Sequence, residues 1–485
     1  MGSIVLYIFH FIHFSHRSHH AGFDVQPNQM AQLDSFLTKP ENTSGIYNQS
    51  NQTKQTQTYV LSTPEQRSYL QLQSRRSRFE EALERMQNKS YRQEVDPLNE
   101  DNFVEPTHFN RIAVQPQVKY LGILVDAGRH YFPIPWLKRL IQFLYRLRFN
   151  MIHFRLTDDQ AFNVQLESYP QLALASAAET RNTTYKPKQL RYLVKYALRY
   201  NITIIPEINL PGHAGAWSGI PGLILHCPNF ACQLGYGIPL NVNYPNISTI
   251  LKAVIQEVIE IFDNPPFLHL GGDEVERSVG CFSELGLNPF QYDNFELQLQ
   301  QILREINYPQ NQVIRWEVTG PNASTADMRA GGIQHNWYYL PGESLDIKPH
   351  HVYFNSWRLY MDANDNEGAA QIFKHTIDNF QPHLPGADHM PRAIIPASFE
   401  LNVELWSQRN VAARLIAVAL GAANWNTTTN TEQAFQLYDK VCRDLGLHPT
   451  VCDLQGFTSV PNVQYREHWN HVWQQWINGT CERVH

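Results

Sequence analysis

The stretch Phe267-Leu-His-Leu-Gly-Gly-Asp-Glu274 shows how the central part of this chain is organised. It begins as a short, mainly apolar run, which predicts a buried strand, and it ends in a glycine pair, which lets the backbone turn tightly. Two carboxylic acids, Asp273 and Glu274, follow at once. Neighbouring side chains on a regular strand point to opposite faces, so both acids can reach one ligand only where the strand has ended. We therefore expect an acidic pair at the end of a buried strand.

Further apolar segments alternate with helical patterns on both sides of this stretch. With it they make eight predicted strands, at 120–125, 151–156, 202–208, 267–270, 313–318, 332–336, 352–355 and 401–406. Between strands, as in 134–147 and 250–262, apolar residues recur at the i, i+3, i+4 spacing of an amphipathic helix. Eight strands alternating with helices favour the α/β class and a (β/α)8 TIM barrel. A doubly wound sheet, the alternative, predicts a Gly-x-Gly-x-x-Gly loop after its first strand, and the sequence has none there.

The regions on either side of the predicted barrel differ from it in composition. Residues 1–21 hold a short apolar run interrupted by histidines, which resembles a weak signal segment, and a truncated start explains it equally well. Residues 22–117 are a polar N-terminal region with one helical pattern at 68–88, and both a loop region and a degenerate small α+β domain stay open for them. We assign the barrel to 118–430 and a C-terminal helical extension, with helices at 432–445 and 463–477, to 431–485.

Composition and charge exclude several classes of protein. A formal net charge of −6 argues against a nucleic-acid binder, which needs a basic face to neutralise phosphates. A hydrophobic content of 43% with 12% aromatic residues argues against an acidic disordered chain. Apolar runs long enough to span a bilayer are absent from the sequence, so we expect no integral membrane segment.

The asparagines and cysteines point to the secretory pathway, either extracellular or lysosomal/vacuolar. Glycosylation sequons Asn-X-Ser/Thr occur at Asn42, Asn48, Asn51, Asn88, Asn182, Asn201, Asn246, Asn322, Asn426 and Asn478. The six cysteines are compatible with disulfides, whose pairing the sequence leaves open. Their spacing matches no zinc motif, so we expect neither a metal site nor a cofactor.

Charged and aromatic side chains gather at the predicted strand ends, which is where barrel enzymes carry their active sites. The candidates are Arg129, Asp158, His213, Asp273, Glu274, Trp316, Trp337, Tyr360, Asp362 and Trp406. Aromatic rings beside acids suit a sugar, because a pyranose has apolar faces and hydroxyl edges. Cleavage of a glycosidic bond normally uses two carboxylates, which the acidic pair would provide.

Four ordered blocks resemble the β-N-acetylhexosaminidases of glycoside hydrolase family 20. They are Asp126-Ala-Gly-Arg-His-Tyr-Phe132, Phe154-Arg-Leu-Thr-Asp-Asp-Gln-Ala-Phe162, Glu207-Ile-Asn-Leu-Pro-Gly-His-Ala214 and Leu268-His-Leu-Gly-Gly-Asp-Glu-Val275. The resemblance covers about residues 118–410. It implies an exo-acting enzyme whose substrate carries a terminal N-acetylhexosamine on an oligosaccharide or glycoconjugate. In this mechanism the substrate's own acetamide oxygen attacks the anomeric carbon, and the configuration is retained.

The resemblance also implies roles for single residues. Glu274 would be the general acid and then the base for water. Asp273 would orient the acetamide and offset its developing positive charge, and Asp158 with His213 would form a buried relay that tunes Glu274. Sugar contacts would come from Arg129, Trp316, Trp337, Tyr360, Asp362, Trp406 and Gln408.

The sequence departs from the family pattern at several of these places. Arg315 stands where a pocket tryptophan is expected, unless the register slips by one residue to Trp316. Gln408 replaces a glutamate and Asn209 replaces an aspartate. The retained Glu274 favours turnover. A sugar-binding pseudoenzyme on the same barrel stays open as the alternative, as do a homodimer and the choice between gluco and galacto substrates.

Overall fold

The computed structural model describes thirteen stretches of the chain, all of them in one compact unit, Ser74–His485. They are residues 105–113, 115–129, 131–179, 184–225, 238–274, 284–288, 291–317, 331–337, 352–359, 369–379, 392–398, 410–424 and 440–441. The predicted signal-like segment, the helical pattern at 68–88 and the helix at 463–477 lie outside these residues, as does nearly all of 432–445. The six cysteines also lie outside them.

Strands and helices alternate along the described residues. The strands are β1 (Tyr120–Asp126), β2 (Met151–Arg155), β3 (Thr203–Glu207), β4 (Leu268–His269), β5 (Val313–Trp316), β6 (Ile333–Asn336), β7 (Val352–Asn355), β8 (Ala393–Ile394) and β9 (Ala397–Ser398). The helices are α1 (Ile134–Arg146), α2 (Pro170–Glu179), α3 (Pro187–Arg199), α4 (Ile247–Ile261), α5 (Gln291–Glu305), α6 (Ala369–Asp378) and α7 (Asn410–Asn424). Short 3₁₀ turns lie at Pro106–His108, Gly215–Gly219 and Gln310–Gln312.

The strands form a closed parallel barrel. Each strand from β2 to β7 pairs in parallel with the next, and β7 pairs with β8. The circle closes at β1, which pairs with β2 on one side and with β8 and β9 on the other. The prediction of a (β/α)8 barrel is therefore confirmed.

The last strand of the barrel lies earlier in the sequence than predicted. Ala393 pairs with Tyr120 and Ala397 pairs with Leu124, so β8 and β9 are two parts of one strand along β1. Pro396 interrupts it, yet the Pro396 carbonyl still accepts a hydrogen bond from the Leu124 N–H. The prediction that the eighth strand occupies 401–406 was wrong, because the place beside β1 is filled by 393–398. Residues 401–406 lie outside the described residues.

Side chains alternate between the inside of the barrel and the layer under the helices. Leu124, Met151 and Ile205 belong to an inner cluster, whereas their neighbours Ile123 and Ile152 pack in the large outer cluster. This alternation follows from the two-residue period of a strand. Because both faces are covered, the strands read as nearly continuous apolar runs in the sequence.

The helices bury the apolar faces that the sequence predicts. The α1 helix buries Ile134, Trp136, Leu137, Leu140, Ile141, Phe143 and Leu144, and the α4 helix buries eight residues at the same kind of spacing. Each large apolar side chain removed from water contributes about 1.5–3 kcal/mol. Pro170 and Pro187 stand at the first positions of α2 and α3, where a missing N–H costs no helical hydrogen bond. The helices of the described residues are all too short or too polar to cross a membrane.

An imidazole cluster of His153, His269 and His335 lies inside the barrel. The Gly271 N–H donates to His269 Nδ1 over 3.0 Å, so a neutral His269 carries its proton on Nε2, which lies 3.3 Å from His335 Nδ1. His335 Nε2 in turn lies 2.7 Å from Ser356 Oγ. Burial and the neighbouring His153 lower the pKa of both His269 and His335 well below the usual value. Within the cluster, His269 and His335 thus form a neutral hydrogen-bonded wire beneath the end of β4.

Candidate active site

The carboxyl ends of β2, β3 and β4 bring four of the predicted residues into one buried group, the acid–histidine cluster of Asp158, His213, Asp273 and Glu274. His213 lies at its centre. Its Nδ1 is 3.1 Å from Asp158 Oδ1, and its Nε2 is 2.8 Å from Glu274 Oε2 and 3.6 Å from Asp273 Oδ2. The structure therefore joins Asp158, His213 and Glu274 in one continuous line of contacts.

The glycine pair after β4 is needed to place the acids. Gly271 has a φ of 60°, and a Cβ at this position would lie 1.8 Å from Asn209 Oδ1. A side chain at Gly271 is therefore excluded both by backbone conformation and by space. Glu274 itself has a φ of 56°, in the left-handed region that side chains rarely adopt. Such residues collect at functional sites, where the surrounding structure holds them in place.

The loop after β3 that carries His213 is fixed by the second acid of the Thr-Asp-Asp sequence. The Asp159 carboxylate accepts hydrogen bonds from the Gly215 N–H and the Ile238 N–H, each over 3.0 Å. Asp159 Oδ2 also lies 3.5 Å from His213 Nδ1. One buried carboxylate therefore ties two loop backbones to the place where His213 sits, a role that the sequence did not assign.

The charges around His213 decide its protonation. Burial by itself lowers the pKa of His213, but the carboxylates of Asp158 and Asp273 outweigh burial and raise that pKa well above its usual value. Burial raises the pKa of Asp158, and the guanidinium groups of Arg129 and Arg155 together with His213 reverse this and hold it well below the usual range. His213 is therefore a cation and Asp158 a carboxylate near neutral pH.

Asp273 is held as a carboxylate by a different set of neighbours. Asn209 Nδ2 donates to Asp273 Oδ1 over 2.8 Å, and Asn209 Oδ1 accepts from the Gly272 N–H over 3.0 Å. Burial raises the pKa of Asp273, but His213, Arg155 and the Asn209 hydrogen bond lower it by more. The amide that replaces the expected aspartate thus supplies a donor that a second carboxylate could not.

Arg129 lies beside the cluster with its guanidinium bound to two acids. Arg129 Nη1 is 2.9 Å from Asp126 Oδ2, and Nη2 is 3.1 Å from Asp158 Oδ2. The ion pair with Asp126 is the structural alternative to a sugar-binding role. A contact of Arg129 with sugar hydroxyls stays a prediction.

Arg155 is a site residue that the sequence analysis missed. Its guanidinium contacts Asp158 and lies 3.6 Å from Glu207 Oε1 and 3.9 Å from Asp273 Oδ2. These carboxylates offset the cost of burying the cation, and its pKa is raised. A signal for it was present in the sequence, because a charged residue within an apolar parallel strand is buried and needs partners.

Trp316 lies deeper than predicted. It is 0% exposed, its ring stacks on His335 with centroids 4.1 Å apart, and its Nε1 donates to Glu207 Oε1 over 2.8 Å. The prediction that Trp316 contacts substrate is therefore wrong: the ring fills the barrel interior and has no accessible face. Arg315 points the other way, to Glu296 of α5.

Of the other five predicted sugar contacts, the structure describes only Trp337. Trp337 is half-buried directly after β6, and its backbone N–H donates to Glu317 Oε1 over 2.7 Å. Tyr360, Asp362, Trp406 and Gln408 lie outside the described residues. Their roles remain predictions.

Two groups of three described side chains have donor atoms within 4.8 Å of one another, the imidazole cluster and the set Asp158, Asp159 and His213. In the second group the carboxylate of Asp158 is already compensated by Arg129 and Arg155. In the first, the nitrogens of His269 and His335 are engaged in the hydrogen-bonded wire. Neither arrangement favours a metal ion.

Comparison of the sequence with known proteins identifies the family of this chain. Residues 118–315 match the catalytic domain of glycosyl hydrolase family 20. The chain is 33% identical over 391 residues to beta-hexosaminidase subunit A1 of Dictyostelium discoideum, a match that covers 73% of this chain and 70% of the relative. It is also 30% identical over 235 residues to beta-hexosaminidase 3 of Arabidopsis thaliana, covering 46% of this chain and 41% of that protein.

Solved structures share the fold. The chitobiase of Flavobacterium johnsoniae superposes with a TM-score of 0.53 at 21% identity, covering 68% of this chain and 52% of that one. The exo beta-N-acetylglucosaminidase of Vibrio harveyi, in complex with N-acetylglucosamine, gives a TM-score of 0.53 at 20% identity, covering 69% and 60%. Sequence, barrel and relatives agree, and the chain belongs to glycosyl hydrolase family 20.

Proposed function

We propose that this protein is an exo-acting β-N-acetylhexosaminidase that removes terminal N-acetylglucosamine or N-acetylgalactosamine with retention of configuration. The observation that carries the proposal is the acid–histidine cluster. Two adjacent acids, Asp273 and Glu274, each 7% exposed, share a buried histidine at the carboxyl ends of the barrel strands. Barrel enzymes perform their chemistry at this end.

Glu274 is the general acid in this proposal. It protonates the leaving glycosidic oxygen and then takes a proton from the attacking water. The contact of 2.8 Å between Glu274 Oε2 and His213 Nε2 supports the role, because it places a buried titratable group within proton-transfer distance of Glu274. Behind His213, Asp158 supplies the charge that keeps the imidazole protonated.

Asp273 acts on the substrate's acetamide. The acetamide oxygen attacks the anomeric carbon as the glycosidic bond breaks, and the resulting ring carries a positive charge that the Asp273 carboxylate offsets. The lowered pKa of Asp273 supports this role, since only the ionised form can stabilise the charge. Asn209 fixes Asp273 Oδ1, while Oδ2, which lies 3.6 Å from His213 Nε2 and 3.9 Å from Arg155 Nη1, is the oxygen proposed to meet the substrate.

The sugar itself is held by residues at the rim. We propose that Trp337 walls the acetamide methyl group and that Arg129 binds hydroxyls, with Tyr360, Asp362, Trp406 and Gln408 completing the contacts. Aromatic faces pack on the apolar faces of the ring while charged groups take its edges.

A chromogenic N-acetylglucosaminide and the matching N-acetylgalactosaminide test the proposal. We expect the wild type to hydrolyse at least one, and Glu274→Gln to lower kcat by roughly 10²–10⁴-fold, as for loss of a general acid. Glu305→Gln, the same change at an exposed glutamate paired with Lys252, serves as the control and should leave kcat unchanged. A chitohexaose distinguishes exo from internal cleavage, because an exo-acting enzyme should first give N-acetylglucosamine and the pentamer, whereas internal cleavage gives dimers, trimers and tetramers.

The opposite results are equally clear. A wild type that binds N-acetylglucosamine without turnover would overturn the proposal in favour of a sugar-binding pseudoenzyme. Unchanged activity of Glu274→Gln would show that another group donates the proton.

We also propose that the protein passes through the secretory pathway. Two sequons, at Asn201 and Asn246, stand at exposed positions of the described residues, and exposure is what the glycosylating enzyme requires. Treatment of protein from its native source with a peptide N-glycosidase should increase its gel mobility. Unchanged mobility would contradict the proposal.

A further inference from the structure

Arg315 binds the backbone of two active-site loops from outside the barrel. Its neighbours Ile314 and Trp316 face the barrel interior, so the Arg315 side chain faces α5. There Arg315 Nη1 donates to the Leu210 carbonyl over 3.0 Å and also to the Leu270 carbonyl, while Nη2 contacts a carboxylate oxygen of Glu296. All of these groups are buried, with Arg315 itself 2% exposed.

The two carbonyls occupy equivalent places relative to the chemistry. Leu210 stands three residues before His213, and Leu270 stands three residues before Asp273. One guanidinium therefore joins the loop that carries the histidine to the loop that carries the acids. The contact between His213 Nε2 and Glu274 Oε2, 2.8 Å long, is made between these same two loops.

The energetics favour an arginine for this task. A buried carbonyl without a donor costs about 1–3 kcal/mol, and hydrogen bonds from a charged donor are roughly twice as strong as neutral ones. Arginine presents several N–H groups in a rigid fork, whereas lysine presents one compact charge. A buried cation also needs a counter-ion, which Glu296 of α5 provides.

A glycine beside Arg315 provides the space that its side chain needs. A Cβ on Gly331, just before β6, would lie 2.8 Å from Arg315 Cγ. The absence of a side chain at Gly331 thus gives the stem of Arg315 its path to α5. Trp316, and not Arg315, is the residue of this pair that faces the barrel interior, so Arg315 is free to act on the outer side.

We propose that Arg315 is a positioning residue, which holds the His213 loop and the Asp273–Glu274 loop in register so that the acid–histidine cluster forms. It acts through the backbone and does not touch the substrate. The proposal rests on the proposed function for its kinetic readout, and it makes a separate claim about the two loops.

Four variants separate positioning from simple stabilisation. Arg315→Met leaves the Glu296 carboxylate buried without its cation, so both the melting temperature and kcat should fall. The double variant Arg315→Met/Glu296→Gln removes both charges and should regain part of the melting temperature, because no unpaired charge stays buried although the Leu210 and Leu270 carbonyls still lack their donor. Its kcat should stay at least about tenfold below wild type, since displaced catalytic groups lose rate. Arg315→Lys should recover part of that loss, and Lys252→Met/Glu305→Gln, which removes an exposed pair, should change neither quantity.

A second readout does not depend on activity. Backbone amides in 208–214 and 270–274 should exchange hydrogen faster in the double variant than in wild type, while those of α1 should not change. A double variant that recovers kcat together with melting temperature, or that keeps wild-type exchange in both loops, would overturn the proposal. If the wild type shows no hydrolysis, the proposed function fails, and the exchange rates alone decide whether Arg315 positions the loops.

Discussion

The two buried clusters of this barrel shift the pKa values of their histidines in opposite directions. His213, in the acid–histidine cluster, has a raised pKa, whereas His269 and His335, in the imidazole cluster, have lowered ones. Burial lowers the pKa in all three, so burial does not explain the difference. The neighbours do. Carboxylate oxygens of Asp158 and Asp273 lie 3.1 and 3.6 Å from His213. His269 lies among His153, His335 and the cations Arg155 and Arg315, which together outweigh the Glu207 carboxylate 3.8 Å away.

The two clusters therefore differ in role: the acid–histidine cluster holds the charged groups, and the imidazole cluster packs beneath them. The acid–histidine cluster keeps a cation and carboxylates at the carboxyl ends of the strands, where the proposed substrate-assisted hydrolysis would need them. In the imidazole cluster, His269 and His335 form a neutral wire from the Gly271 N–H to Ser356. Gly271 belongs to both regions, since it donates to His269 and packs on Asn209.

Removing one polar group from each cluster should affect kcat very differently. Asp273→Asn keeps the shape of the acid but removes its charge, and we expect kcat to fall by about 10²–10³-fold, as for loss of one electrostatic stabiliser. Ser356→Ala, which removes the end of the neutral wire, should leave kcat within a few-fold of wild type. Steady-state kinetics on the chromogenic substrate measures both, and equal losses would contradict the functional separation of the clusters.

The glycine shared by the two regions should be nearly as sensitive. Gly271→Ala would bring a methyl group against Asn209, displacing the acids, and an ångström of misplacement can cost about 10²-fold in rate. Gly286→Ala is the matched control, since its φ of 64° is similar and no atom lies within 4 Å of its Cβ. The control should cost about 1–2 kcal/mol of stability and little activity. Similar kinetics in the two variants would show that space at Gly271 is unimportant.

A second carboxylate beside Asp273 should change the pKa values of the acid–histidine cluster and leave the imidazole cluster unaffected. Asn209→Asp places a like charge at the position that now donates to Asp273 over 2.8 Å, which should raise the pKa of Asp273. We expect the acid limb of the pH–kcat profile to move to higher pH and kcat at low pH to fall by about tenfold, equivalent to ~1.4 kcal/mol. A profile that keeps its acid limb would show that Asp273 does not control it.

The smallest effects should appear in the pH dependence of stability. The pKa of His213 is raised, so its contribution is fully present below about pH 6.5 and is lost as the pH rises. The pKa values of His269 and His335 are lowered, so their contributions are present above about pH 6.5 and are lost as the pH falls.

Urea unfolding of His213→Gln and His335→Gln between pH 5 and 8 measures this contrast. Relative to wild type, the first should lose stability most below pH 6.5 and the second most above it, with slopes of at most about 1.4 kcal/mol per pH unit for one proton. Slopes of the same sign would remove the contrast between the clusters.

Much of the fold could be predicted from the sequence. Apolar runs alternating with i, i+3, i+4 patterns located seven of the barrel strands and the helices α1 and α4. The eighth position was misassigned because 401–406 has a regular alternation, whereas 393–398 contains Pro396, which argues against a strand. The Pro396 carbonyl accepts a hydrogen bond from Leu124 of β1, and β9 pairs with β1 directly afterwards. This pairing depends on the tertiary fold and cannot be predicted from the local sequence pattern.

The site could be predicted only as far as its motifs reach. Asp158, His213, Asp273 and Glu274 were identified from their places after strands, and the structure brings them together. The direction of Trp316, the contacts of Arg155 and the hydrogen bond from Asn209 to Asp273 depend on which residues of different strands meet. The register between two strands cannot be predicted from the sequence of either strand alone.

The central claim is that the substrate's acetamide, oriented by Asp273, is the nucleophile. A crystal structure with a thiazoline inhibitor, which mimics the cyclised intermediate, tests this most directly. We predict that the thiazoline nitrogen lies within hydrogen-bond distance of the Asp273 carboxylate, with Glu274 beside the anomeric carbon. An inhibitor bound away from Asp273, or with its ring nitrogen turned from that carboxylate, would contradict the account.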